Sequence, residues 1–309
     1  MEATYKFDPS LIKRAHEGRG FIAALDQSGG STPKALASYG VPESAYTENG
    51  VRDAKKMFDL VHAMRTRVMT SPSFTSERIL GAILFEQTMD REVEGQPTPS
   101  YLKSKGILPF LKIDKGLLPA EHGVRLMKDI PDLDELLERA AQKGIFGTKM
   151  RSVIDSFNEE GIVKIVDQQF ELAERIMAHG LVPIIEPETT VSSFDRISSE
   201  HLLHHLIFEH VLRLPESARI MLKISIPVDP TLYEDLLDDP RVVRIVALSG
   251  GYQREEACGL LKKCPGMIAS FSRALLEGLS ASQDEEAFEK TLSSSIDLIY
   301  DASINKEEC

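Results

Sequence analysis

"RIMLKIS" (219–225) decides the fold of this chain. Side chains two apart on a strand share a face. Ile220, Leu222 and Ile224, continued by Ile226, form one apolar face, and Met221, Lys223 and Ser225 form the other. A strand this apolar is expected to be covered on both sides. Lys223 then sits at the centre of a buried strand, where an ammonium costs several kcal/mol to desolvate. That cost needs a compensating partner or a chemical use.

Seven other short apolar runs end at a polar residue in the same way. They are "GFIAALD" (20–26), "RILGAILFE" (78–86), "ILPFLKID" (107–114), "IFGTKMR" (145–151), "LVPIIEPE" (181–188), "VVRIVALSGG" (242–251) and "GMIASFSR" (266–273). Their length and bounding Gly and Pro favour strands over buried helices. Amphipathic segments lie between them. Val51, Ala54, Met57, Phe58, Val61, Met64 and Val68 follow helical spacing, as do Leu133, Leu136, Leu137 and Ala140 before Gly144. So do Ile162, Ile165, Val166, Phe170, Ala173, Ile176 and Met177, with Gly180 as the stop. Residues 284–303 predict a terminal helix, and 87–106 an irregular loop.

Buried strands alternating with helices predict a parallel sheet. Eight such units predict one α/β (β/α)8 TIM barrel, a single domain over 1–309 with a C-terminal helix. A doubly wound open sheet is the alternative. It would not require every strand to end on a polar residue.

The 309 residues carry a net charge of −12, which argues against nucleic acid or an anionic membrane as partner. The start "MEATYKFDPS" lacks a signal pattern, and no apolar run is long enough to span a membrane. Three cysteines, Cys258, Cys264 and Cys309, form no CxxC pair, which suits a reducing cytoplasm. Cys258 and Cys264 are expected to pack as small hydrophobes near one helix, and Cys309 to fray at the terminus.

In a parallel barrel, chemistry gathers at the carboxyl ends of the strands. The residues there would be Asp26, Glu86, Lys112, Lys149 with Arg151, Glu186 with Glu188, Lys223, Ser249 and Arg273. Lys223 is expected to face the axis among Lys149, Lys112 and the two glutamates. An amine attacks a carbonyl only when neutral, and burial and nearby cations such as Lys149 and Arg151 favour that form. The protonated imine withdraws electrons from adjacent carbon–carbon bonds, so an aldol can be cleaved without a metal. A purely structural Lys–Glu network is the blander explanation, and it accounts poorly for so many charges on one rim.

"LSGG" (248–251) places Ser249, Gly250 and Gly251 in a turn whose backbone N–H groups can hold an anion, with Arg273 completing the clamp. A second turn, "DQSGGS" (26–31), puts Ser28 and Ser31 beside Lys112 as another phosphate site.

These residues resemble the class I, Schiff-base-forming fructose-bisphosphate aldolases. The matches run from about Gly18 to Leu275 and include "GFIAALDQSGGS", "GAILFEQT", "LKIDKGLLP", "TKMRSVI", "VPIIEPE", "LKIS", "LSGGYQREEA" and "FSRAL". The resemblance implies a TIM barrel and a cytoplasmic enzyme of glycolysis and gluconeogenesis. It would cleave fructose 1,6-bisphosphate to dihydroxyacetone phosphate and glyceraldehyde 3-phosphate, with a sugar phosphate as partner and no cofactor or metal. It also implies a homo-oligomer, dimer or tetramer.

By the same resemblance Lys223 forms the imine, and Lys149 tunes it and handles protons. Glu186 is the acid/base for carbinolamine dehydration, with Glu188 its partner carboxylate. Asp26 takes the C4-hydroxyl proton, and Arg151 positions substrate. Ser249, Gly250 and Arg273 hold the 1-phosphate, and Ser28, Ser31 and Lys112 the 6-phosphate.

The sequence departs from the animal-type pattern at Gln27, at Met150 and in "KIS". It ends "INKEEC", without a long tail bearing a terminal tyrosine, and so resembles the shorter bacterial branch. Water or Glu186 would then protonate the enamine. Three alternatives stand beside this one. They are a Schiff-base aldolase for tagatose or sedoheptulose bisphosphate, a non-catalytic sugar-phosphate-binding barrel, and a metal-dependent lyase using His201, His204 and His205 of "EHLLHHLIFEH" (200–210). A solvated helix face explains those histidines better.

Overall fold

The computed structural model describes residues 3–28 and 30–307. Cys309, and Gly29 of the turn 26–31, lie outside them. Eight parallel strands are hydrogen-bonded in chain order. They are β1 (Phe21–Leu25), β2 (Ile79–Leu84), β3 (Leu108–Lys112), β4 (Gly147–Ile154), β5 (Val182–Thr189), β6 (Ile220–Ser225), β7 (Val242–Leu248) and β8 (Ile268–Ala269). The Ala24 N–H donates to the Phe271 carbonyl at 3.1 Å, bringing the last strand back to the first. Helices surround the ring, so the chain is a (β/α)8 barrel.

The pleat of β6 divides its side chains as expected. Ile220, Leu222, Ile224 and Ile226 pack in the apolar layer between strands and helices, whereas Met221 joins a second cluster inside the ring. That inner cluster includes Ile22, Ala24, Ile83, Leu108, Phe110, Val182, Ile184 and Ile268. Phe110 fits there because β4 begins with glycine: a Cβ on Gly147 would lie 3.0 Å from the ring and 2.2 Å from the Val182 carbonyl. The lower barrel is thus a packed apolar floor, and the charged residues stand above it.

A helix that periodicity did not predict, Pro9–Glu17, closes the amino end of the barrel. Asp8 caps it, accepting from the Ser10 N–H at 2.9 Å, and Pro9 occupies its first turn. Its Ala15 belongs to the inner cluster, with Leu11 and Ile12 packed against it. His16 Nδ1 donates to the Val243 carbonyl at 2.9 Å, and Arg244 Nε donates to the Ala15 carbonyl at 3.0 Å.

Other helices follow the predicted periods closely: Leu133–Gln142, Glu159–Ala178 and Glu285–Ile304. Gly144 and Gly180 stop the first two with φ of 76° and 73°. Four expectations need correction. The helix expected from Val51 spans Ala54–Thr70, because Asp53 caps it; Val51 is exposed on a two-residue hairpin strand. The interval 87–106 holds a hairpin (Glu92–Val93 with Gln96–Pro97) and a helix, Thr98–Ser104. β8 covers only two residues, so Arg273 opens the short helix Arg273–Leu276 and does not end a strand. β4 and β5 run on to residues 154 and 189, so Arg151 and Glu188 lie within strands. Cys258 and Cys264 are buried. Among the described residues no helix is long and apolar enough to cross a membrane.

Candidate active site

Register brings the charges together. Lys112 of β3 stands opposite Lys149 of β4, and Ile184 of β5 stands opposite both Lys149 and Met221 of β6. Two residues on, along the same inner face, Glu186 therefore comes beside Lys223. Lys223 Nζ lies 3.1 Å from Glu186 Oε1, and Lys149 Nζ lies 2.7 Å from Glu186 Oε2. Lys149 also donates to Asp26 Oδ2 at 2.9 Å, from the end of β1. These four side chains are buried, Lys223 being only 4% exposed.

Four cations (Lys112, Lys149, Arg151, Lys223) meet four carboxylates (Asp26, Asp114, Glu186, Glu188) in this ring. Arg151 Nε donates to Glu188 Oε2 at 2.6 Å, and Lys112 Nζ donates to Asp114 Oδ1 at 2.6 Å. The rim is thus an interleaved network and not a cluster of bare positive charge around Lys223. Burial alone would raise the Asp26 carboxyl, but Lys149, Lys223 and Lys112 outweigh it and hold Asp26 well below the usual range. Burial would likewise lower Lys149, but Asp26, Glu186 and Asp114 hold it well above an ordinary lysine. Lys149 is therefore a fixed ammonium.

A depressed carboxyl contributes stability above its unfolded pKa, about 4, and loses it as pH falls toward the folded value. Asp26→Asn should therefore destabilise the protein by a constant amount above about pH 4, on the order of 3–5 kcal/mol for breaking a buried pair. The gap should narrow in stronger acid. Denaturant melts of both proteins across pH 2–7, a range set by that window, check this. A gap that widens toward acid would contradict it.

A cavity of about 990 Å³ opens above the ring, and it carries the phosphate candidates at its walls. Gly250 and Gly251 follow β7 with φ of 59° and 107°. Arg273 stands over this turn, an Nη lying 3.5 Å from where a Cβ on Gly251 would be. In the turn after β1, Ser31 Oγ accepts from the Ser28 N–H at 3.0 Å and donates to the Ser28 carbonyl at 3.3 Å. Lys112 is matched by Asp114, and Lys34 also lines the cavity. Glu86, expected at the rim, is not among the lining residues. It opens a short helix and pairs with Lys115 at 3.0 Å and with Arg139. His204 bonds Asp235 at 2.9 Å and His205 lies 3.4 Å from Glu209. Among the described residues no three His, Cys, Asp or Glu side chains are placed to hold one metal ion.

The family model for fructose-bisphosphate aldolase class-I matches residues 11–226, more than half of the chain. The chain belongs to the class-I fructose-bisphosphate aldolases. A solved aldolase from Plasmodium falciparum, in complex with TRAP and a small-molecule inhibitor, superposes with a TM-score of 0.69 at 20% identity. The match covers 100% of this chain and 99% of that one. Cgl0159 from Corynebacterium glutamicum superposes with a TM-score of 0.51 at 13% identity, over 96% and 92% of the two chains. At these identities the likeness bears on the fold.

Sequence periodicity had passed over three buried polar residues of this aldolase. Arg65 reaches in from the helix Ala54–Thr70, fully buried. It donates to Thr88 Oγ1 at 2.7 Å and to the carbonyl of Gln27, next to Asp26. Burial pushes its guanidinium down to about 10, against the opposing pull of Asp26. Gln27 in turn donates to Ser272 Oγ at 2.6 Å, tying the ends of β1 and β8 together. Gln169 accepts from the Glu186 N–H at 2.8 Å and donates to Ser152 Oγ at 3.1 Å, fixing β5 against β4 behind the acid/base candidate. Asp114, two residues past Lys112, is the third.

Proposed function

We propose that this aldolase cleaves fructose 1,6-bisphosphate reversibly to dihydroxyacetone phosphate and glyceraldehyde 3-phosphate, serving glycolysis and gluconeogenesis. The observation that carries it is Glu186 set between two lysines, 3.1 Å from Lys223 and 2.7 Å from Lys149, on the floor of a cavity also lined by Lys34, Arg151 and Arg273.

Lys223 Nζ gives a proton to Glu186 Oε1 and attacks the C2 carbonyl. The oxyanion so formed takes a second proton from the nitrogen. Glu186 then protonates the carbinolamine hydroxyl, which leaves as water and creates the iminium. Asp26, held ionised, removes the C4-hydroxyl proton. The C3–C4 electron pair moves into the iminium, glyceraldehyde 3-phosphate departs and an enamine remains. Protonation at C3 and addition of water release dihydroxyacetone phosphate and restore Lys223. Lys149 keeps Asp26 anionic and lies 2.7 Å from Glu186 Oε2, and positioned acid–base groups such as Asp26 and Glu186 contribute about 10²–10⁴-fold each. Arg151, oriented by Glu188, supports the substrate chain. The 1-phosphate is assigned to Ser249, Gly250, Gly251 and Arg273. The 6-phosphate is assigned to Ser28, Ser31 and Lys112, with Lys34 beside them.

Comparing kcat/KM for fructose, tagatose and sedoheptulose bisphosphates tests the substrate. A clear preference for either competitor would overturn it. Gly250→Ala should raise KM roughly tenfold with kcat little changed, since a left-handed alanine costs about 1–2 kcal/mol. Its Cβ would also lie 2.4 Å from Val191 Cγ1. An unchanged KM would remove this turn from the phosphate site.

A further inference from the structure

The turn assigned to the 1-phosphate and the strand that carries Lys223 are joined by a buried ion pair. Arg196 opens the helix Arg196–Arg213, which follows β5, and is 7% exposed. Its Nε donates to Glu200 Oε1 at 2.6 Å. Its Nη1 donates to the Tyr252 hydroxyl at 3.0 Å, and its Nη2 donates to the Ile226 carbonyl. Glu200 Oε2 accepts from the Val228 N–H at 2.9 Å. Ile226 and Val228 belong to the segment that leaves β6 just past Lys223. Tyr252 directly follows the glycine turn, donates its N–H to the Ser249 carbonyl at 2.9 Å, and lines the cavity. One guanidinium therefore grips both the segment after the lysine and the residue after the turn.

A rigid fork suits that task. Substrate must place its carbonyl on Lys223 and its phosphate on the turn at once, so the span between them selects which carbonyl compounds are held productively. The turn also rests on Val191, from the loop leading to this same helix. We infer that Arg196 and Tyr252 are positioning residues that set this span and thereby the preference for a phosphorylated over an unphosphorylated keto compound. The inference rests on the assignment of Lys223 and of the turn made above.

Borohydride trapping on Lys223, followed by mass spectrometry against concentration, tests it with dihydroxyacetone phosphate and with dihydroxyacetone. Tyr252→Phe removes one hydroxyl and should lower the melting temperature only modestly, leaving the protein folded under assay conditions. It should raise the half-saturating concentration of dihydroxyacetone phosphate roughly tenfold, the scale of one hydrogen bond to a charged group. The value for dihydroxyacetone should not move. Arg196→Lys keeps the charge beside Glu200 but loses the fork, and should shift the same ratio in the same direction. Equal shifts for both compounds, or no shift, would overturn the inference. If the unaltered protein is labelled at Lys223 by neither compound, the aldolase assignment falls and takes this inference with it.

Discussion

Lys223→Met should leave no borohydride-stable adduct with dihydroxyacetone phosphate and no measurable cleavage of fructose 1,6-bisphosphate. The covalent step has no substitute. Among the described residues Lys149 is the only other lysine at Glu186, and Asp26, Glu186 and Asp114 hold it protonated, so it offers no lone pair to a carbonyl. The substitution should be tolerated by the fold. Lys223 lies above the inner apolar cluster, Met221 precedes it on the same face, and Glu186 keeps Lys149 as its counterion. Circular dichroism and a thermal melt would establish folding, and mass spectrometry of the reduced adduct would establish the site. A folded variant that still cleaves at the normal rate would refute the mechanism.

Asp26→Asn should separate imine formation from bond cleavage. The carboxylate takes the C4-hydroxyl proton, a step absent when dihydroxyacetone phosphate alone forms its imine. Cleavage should therefore fall by about 10²–10⁴-fold. Trapping of dihydroxyacetone phosphate on Lys223 should persist, with Glu186 still in place. Loss of both activities together, in a protein shown by circular dichroism to be folded at the assay temperature, would mean that Asp26 serves the imine step and not the cleavage step. The stability cost expected above about pH 4 makes low-temperature assays the better comparison.

Much of this was legible in the chain because a parallel strand has a short period and two faces. "RIMLKIS" sorts its side chains without ambiguity, and the register of β4, β5 and β6 then assembles Lys149, Glu186 and Lys223. Two of the buried polar residues share one physical signature. Arg65 lies four residues after Val61 and three before Val68, on the buried stripe of its helix. Gln169 lies four after Ile165 and four before Ala173. A polar residue on an apolar stripe is a signal in its own right, since its burial demands a partner. Asp114 was visible by the two-residue rule that linked Lys149 to Arg151. The destinations of Glu86 and Arg273 were not visible, because both lie where strand gives way to a turn, and direction there depends on tertiary contacts. The helix Pro9–Glu17 is too short for a strong period and is marked mainly by its cap.

That first helix has a consequence for the order in which the molecule is made. Its partners on β7 are more than two hundred residues distant, His16 reaching Val243 and Arg244 reaching Ala15. Contacts so remote along the chain carry a large loop-closure entropy and slow the search for the native topology. This helix therefore docks only once β7 has been made, and until then the apolar underside of the barrel stays open to solvent.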